Sequence, residues 1–162
     1  MHFTLKKLID NLIDRMRATD KLTQKMQQVE NSVNLLPLSE AKERALKLLI
    51  DPKKFNCEPA NSSEVNNLLP AELQGIARHY RTIKTVRGEA ELNFQGIEPS
   101  KLKTGFFTIG VNSDHVELVI KPMEEAIYEI DGTEDDNQIE DSKCPSLYHW
   151  IIMTDYVLYG ND

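Results

Sequence analysis

Leu5, Leu8, Ile9, Leu12, Ile13 and Met16 recur at helical spacing with Lys6, Lys7, Asp10, Asp14 and Arg15 between them, a pattern that predicts an amphipathic helix with a wide apolar stripe. Leu22, Met26, Val29 and Val33 continue in steps of four, three and four, but on a stripe offset from the first. Thr19-Asp20 stands at the offset and can cap a second helix, so the pattern fits one bent helix or two successive ones over about residues 4–33. A further helix is expected after Pro37, with Ser39 as its N-cap, Ala41, Ala45, Leu48 and Leu49 inward, and Asp51-Pro52 as its stop. Asn56 to Ser63 reads as a loop and hinge. Pro70 then suits a helix N1 position, followed by the face Leu73, Ile76, Ala77 and Tyr80.

Beyond Tyr80 the period shortens. Thr82–Val86 and Glu89–Phe94 alternate like strands around an Arg87-Gly88 turn. Phe107–Val111 and His115–Ile120 flank Asn112-Ser113-Asp114 as a hairpin, and Ala126–Ile130 is a further strand. Asp131–Asp141 reads as an acidic loop. Pro145-Ser146 opens a last helix to about Leu158 that is apolar nearly all round, with Leu147, Trp150, Ile151, Val157 and Leu158 inside. The expectation is an α+β fold with N-terminal helices, a mainly antiparallel sheet and a closing C-terminal helix. Residues 1–55 would form a helical part packed on or extending from an α+β domain at 64–162.

A chain of 162 residues, 40% hydrophobic, can bury a core without a metal or disulfide staple. Its two cysteines, Cys57 and Cys144, form no pattern, which points to free thiols in a reducing cytoplasm. Asp10, Asn11, Asp14 and Arg15 interrupt the first apolar stretch, so it is not read as a signal sequence. No stretch approaches the roughly 18 apolar residues of a membrane span.

Candidate chemistry adds little. His2, His79, His115 and His149 share no metal-ligand spacing, and His149 beside Trp150 reads as a hydrogen-bonded core or boundary histidine. An EF-hand register from Asp131 would place Asp136 where glycine is required and Ser142 where glutamate is required. There is no phosphate-binding glycine loop with its Lys-Ser/Thr and no serine in a nucleophile elbow. The basic-aromatic stretch Arg78 to Lys84, with Arg87, is better read as cations at a helix C-terminus than as a nucleic-acid contact. No enzyme, metal or cofactor is therefore expected.

Charge changes the picture. Residues 1–81 carry 13 Lys/Arg against 10 Asp/Glu, whereas residues 82–162 carry 6 against 16, a net of −10 within the total of −7. Such a field attracts basic partners and repels nucleic acid and anionic membranes. The expected docking face comprises Glu124, Glu125, Glu129, Asp131, Glu134, Asp135, Asp136, Glu140 and Asp141. Alternation puts Glu117 on the same side as Val119, and Glu129 opposite Tyr128 and Ile130. The alternative is a scaffold module that uses its N-terminal helices for partner docking or as a homodimer contact; the offset near Thr19 argues against a continuous coiled coil.

Within 64–158, Leu68-Leu69-Pro70-Ala71-Glu72-Leu73 with Tyr80 downstream resembles the leucine-proline helix opening of the SUKH superfamily. Phe107-Thr108-Ile109-Gly110-Val111 and the hairpin after it resemble that family's Ile-Gly strand. Ile127-Tyr128-Glu129-Ile130-Asp131 is similar to its next strand, and Ser146-Leu147-Tyr148-His149-Trp150 to its terminal helix. The resemblance implies an α+β fold and, as for many bacterial members, an intracellular immunity protein that binds and blocks a toxin without catalysis. It fixes no contact residues. A basic toxin domain would suit the acidic field.

Overall fold

The computed structural model describes Leu5, Ile9 and residues 20–62, 64–111, 116–132 and 143–160. Among these, helices α1 (Asp20–Asn34), α2 (Leu38–Leu49), α3 (Ala71–His79) and α4 (Leu147–Tyr159) accompany seven strands. The strands are β1 (Phe55–Pro59), β2 (Tyr80–Thr85), β3 (Glu91–Asn93), β4 (Glu98–Pro99), β5 (Phe107–Val111), β6 (Val116–Ile120) and β7 (Tyr128–Asp131). They form one antiparallel sheet in the order β1-β2-β3-β5-β6-β7, with β4 pairing the part of β5 that β3 leaves open. The class is α+β, as the change of period predicts.

The sheet has two differently covered faces. Ile83, Leu92, Leu118, Ile120 and Ile127 share one apolar cluster with helix residues Ala41, Ala45, Leu49, Leu73, Trp150, Ile151 and Ile152. α4 lies at the centre of this layer: every residue from Leu147 to Thr154 is buried, as its all-round apolar sequence predicts. Leu5 and Ile9, both helical, are buried in the same cluster, and so is Val33. The other positions of the first stripe, and the side chains of Leu22 and Met26, lie outside the described residues. The described helical residues thus add to the common core through Leu5, Ile9, Val33, Ala41, Ala45 and Leu49. On the opposite face, Val119, Tyr128 and Ile130 form a second cluster with Phe106 and Ala126, with Leu102 packed against it. Phe106 meets Tyr128 edge-on at 5.3 Å between ring centres.

Several boundaries differ from the sequence reading. Asn56–Pro59, expected in a hinge, belongs to edge strand β1, which pairs with β2 because Phe55 can bury on the helix side while Asn56 and Glu58 face solvent. Pro37 rather than Ser39 precedes the first turn of α2, and Pro70 stands at the cap of α3 rather than inside it. Ala126 lies before β7, and Ile127 makes an isolated bridge to Cys144. β4 was invisible in the pattern, having two exposed residues. The Arg87-Gly88 turn is present, with Gly88 at φ 79° and its N–H donating to Thr85 O at 2.9 Å. The expected turn Asn112-Ser113-Asp114, His115 after it, and residues 133–141 of the expected acidic loop lie outside the described residues.

Gly110 sets how closely the central strands approach. A Cβ there would stand 2.5 Å from Glu91 O, 2.8 Å from Leu92 Cδ2 and 3.2 Å from Leu118 Cδ1. Just before it, Ile109 is the extra residue in the β5–β6 register, which passes from Thr108↔Val119 to Gly110↔Leu118. Such a bulge re-aims the side chains beside it.

Candidate functional site

Of the acids expected to form one docking face, the four described ones, Glu124, Glu125, Glu129 and Asp131, differ in exposure. Glu124 is exposed. Glu125 is half-buried; its Oε1 accepts the N–H of Glu72 at 3.2 Å and its Oε2 is buried without a partner. Glu129 and Asp131 are buried, at 5% and 8% exposure, which corrects their assignment to a solvent-facing docking site. The physical reason is that both faces of β7 are covered. Alternation does place Glu129 opposite Tyr128 and Ile130, but its side is the helix side, across from Leu118. There its two carboxylate oxygens each lie 2.5 Å from the amide nitrogen of Leu5. A carboxylate accepting a backbone N–H is one of the stronger hydrogen bonds a core can hold, which makes its burial tolerable. Glu134, Asp135, Asp136, Glu140 and Asp141 lie outside the described residues.

Glu117 has the opposite fate. It is half-exposed, on the side of β6 shared with Val119, away from the helices. Its Oε1 accepts from Ser100 Oγ at 2.7 Å and from Thr108 Oγ1 at 2.6 Å. The Ser100 hydroxyl oxygen in turn accepts the amides of Leu102 and Lys103 at 3.0 and 3.1 Å, which fixes the loop that carries Leu102 over the second cluster. Two hydroxyls thus hold one carboxylate oxygen and leave the other directed to its surroundings.

Those surroundings are concave. Glu117, Thr108, Val111, Leu102, Pro99 and Glu98, with Lys101 beside them, enclose about 300 Å³. An adjoining depression of about 250 Å³ shares Glu98, Thr108 and Val111 and adds Glu91. Strand register explains the gathering. Glu91 stands across from Val111, Val111 from Glu117, and Glu98 from Thr108, so glutamates from β3, β4 and β6 border the two adjoining depressions over β5. Val111 is 50% exposed at the centre. Sequence reasoning missed Glu91 and Glu98 because they precede the dense acidic run; the only signal was the alternation around Leu92.

A second polar cluster lies at the start of α3. Tyr148 Oη donates to Glu72 Oε2 at 2.8 Å, and Lys42 Nζ lies 3.1 Å from the same oxygen. The hydroxyl, then the lysine, hold the Glu72 carboxyl below the usual carboxylate range. Burial, with Glu72 close by, holds Glu125 above it. This cluster braces α3 against α2 and α4.

Of the histidines weighed for chemistry, His2 and His115 lie outside the described residues. His149 Nε2 is 2.9 Å from Leu36 O, so it carries the proton and donates; Ser146 Oγ, 2.6 Å from Nδ1, then donates to the ring. The Ser146 hydroxyl also accepts the His149 amide and caps α4. Arg78 and His79 occupy the last turn of α3, and Arg81 pairs with Glu58. Cys57 and Cys144 are free thiols, and burial raises Cys57 to about 11. Among the described residues no group of three His, Cys, Asp or Glu could hold a metal ion, and no helix is long and apolar enough to cross a membrane. No known protein family, characterised protein or solved structure matches the chain.

Proposed function

We propose that the chain is a non-catalytic binding protein that neutralises a basic toxin domain, in the manner of SUKH-type immunity proteins, and that the partner docks on the open sheet face. The observation that carries this reading is that Glu91, Glu98 and Glu117 line two adjoining concavities over β5. Rigid strands hold these carboxylates, so a basic surface meets them with little ordering of the chain, and the field speeds encounter. The net −10 of residues 82–162 extends that field beyond the contact. In this reading the protein works in the cytoplasm, where an incoming toxin would act.

The test is protection. Cells expressing a toxin domain encoded beside this gene should survive when the chain is co-expressed, and the two purified proteins should form a complex that weakens as salt rises. Survival unchanged, with no complex at low salt, would overturn the reading.

A second reading rests on the exposed leucines of the helical part. Leu46 and Ile50 lie one turn apart at the end of α2, and Leu35 is 81% exposed between α1 and α2. These would suit self-association as a homodimer. A mass by light scattering that does not rise with concentration would remove it.

A further inference from the structure

We propose that the concavity between β4, β5 and β6 is a recognition pocket for a single arginine side chain of the partner. The inference deepens the proposed docking role and rests on it for its biological meaning, but not for its chemistry. At about 300 Å³ the space is at the lower end for ligand pockets, about 300–1,000 Å³. That suits one long side chain better than a cofactor. Its walls are of two kinds. Pro99, Leu102 and Val111 offer apolar surface along which a methylene stem can lie, and Glu117 and Glu98 offer carboxylates for the head.

The carboxylate of Glu117 is prepared for such a head group. Ser100 and Thr108 occupy one oxygen with two short hydrogen bonds, which fixes the rotamer and leaves the second oxygen to take a donor. Among the described residues, Lys101 on the rim makes no ion pair with Glu117 or Glu98. Arginine fits better than lysine for two reasons. Its planar fork can reach two acceptors at once, and its weakly hydrated face packs on apolar walls that an ammonium avoids.

The probe is acetyl-arginine amide titrated into the labelled full chain at low salt, with the lysine and citrulline amides as controls. The amide signals of Leu102, Thr108 and Val111 should shift saturably with the arginine compound. The citrulline compound, which keeps the shape without the charge, should give no saturable shift. Glu117→Gln should weaken binding by at least about tenfold, the loss of one charged hydrogen bond. Val111→Phe fills the mouth of the pocket from an exposed position and should abolish binding while the rest of the spectrum stays dispersed. Equal binding of arginine and citrulline amides, or binding indifferent to both substitutions, would overturn the pocket. Lysine amide binding as tightly as arginine amide would overturn the arginine assignment. Failure of the two readings is separable: a toxin complex unaffected by either substitution removes the pocket alone, whereas arginine binding without any toxin complex removes the docking role alone.

Discussion

Glu129 on β7 and Glu117 on β6 stand beside each other's strands yet on opposite faces of the sheet, and their surroundings make them different instruments. Glu129 faces Leu118 and the helices, is 5% exposed, and gives its carboxylate to the amide of Leu5. Glu117 faces away from the helices, is oriented by two hydroxyls, and keeps one oxygen toward an open concavity. A buried charge is retained only where partners replace water, and breaking that arrangement is costly. A half-exposed charge contributes little to stability and is available to a partner. Net charge therefore does not say which acids can bind anything; the face does.

The largest expected effect breaks the contrast from the buried side. Glu129→Lys places a cation where an anion met the Leu5 amide and should cost about 3–5 kcal/mol, measured as the shift of the urea unfolding transition. Glu98→Lys, on the exposed rim, should leave the urea midpoint in place. Equal shifts for the two would remove the distinction between the faces.

Gly110→Ala comes next. Its Cβ would collide with the Glu91 carbonyl at 2.5 Å and press on Leu92 and Leu118, so the β3–β5–β6 contact must open. The expected loss is about 1–3 kcal/mol of stability, the usual scale of overpacking. Because β5 also floors the concavity, its amide signals should shift with the loss.

The smallest effect concerns the second polar cluster. The Glu125 carboxyl is held above its unfolded value, so the folded state favours its protonated form, and its contribution to stability declines as pH rises past the usual carboxylate range. Glu125→Gln removes that decline. The urea midpoint of the variant should match the parent in acid, where the carboxyl is protonated in both states, and exceed it increasingly toward neutral pH. A difference independent of pH would contradict this assignment. Glu72, held below the range by Tyr148 and Lys42, works in the reverse sense and loses its contribution as pH falls.

Much of this architecture is legible in the pattern of residues. The 3.6-residue period of α2 and α3 and the uninterrupted apolar run of α4 locate the helices, and alternation puts Glu117 with Val119 and Glu129 opposite Tyr128. What alternation does not carry is which face is covered. The helices cover the Glu129 side, and the loop bearing Leu102 and Phe106 covers the side of Tyr128 and Ile130. β1 was hidden by Asn56 and Glu58, loop-like residues that face solvent on an edge strand. The concavity was hidden for another reason. Glu91, Glu98 and Glu117 are spread along the chain and come to border the two depressions only through pairing with β5, a non-local fact.

The open face, not the acidic total, is the proposed binding surface. The direct measurement is calorimetric affinity for the proposed basic toxin partner, over a series of salt concentrations, for the parent chain and for the triple variant Glu91→Lys, Glu98→Lys, Glu117→Lys. At low salt the variant should bind at least about a hundredfold more weakly, with a flattened salt dependence. An affinity and salt slope unchanged by the three reversals would contradict it.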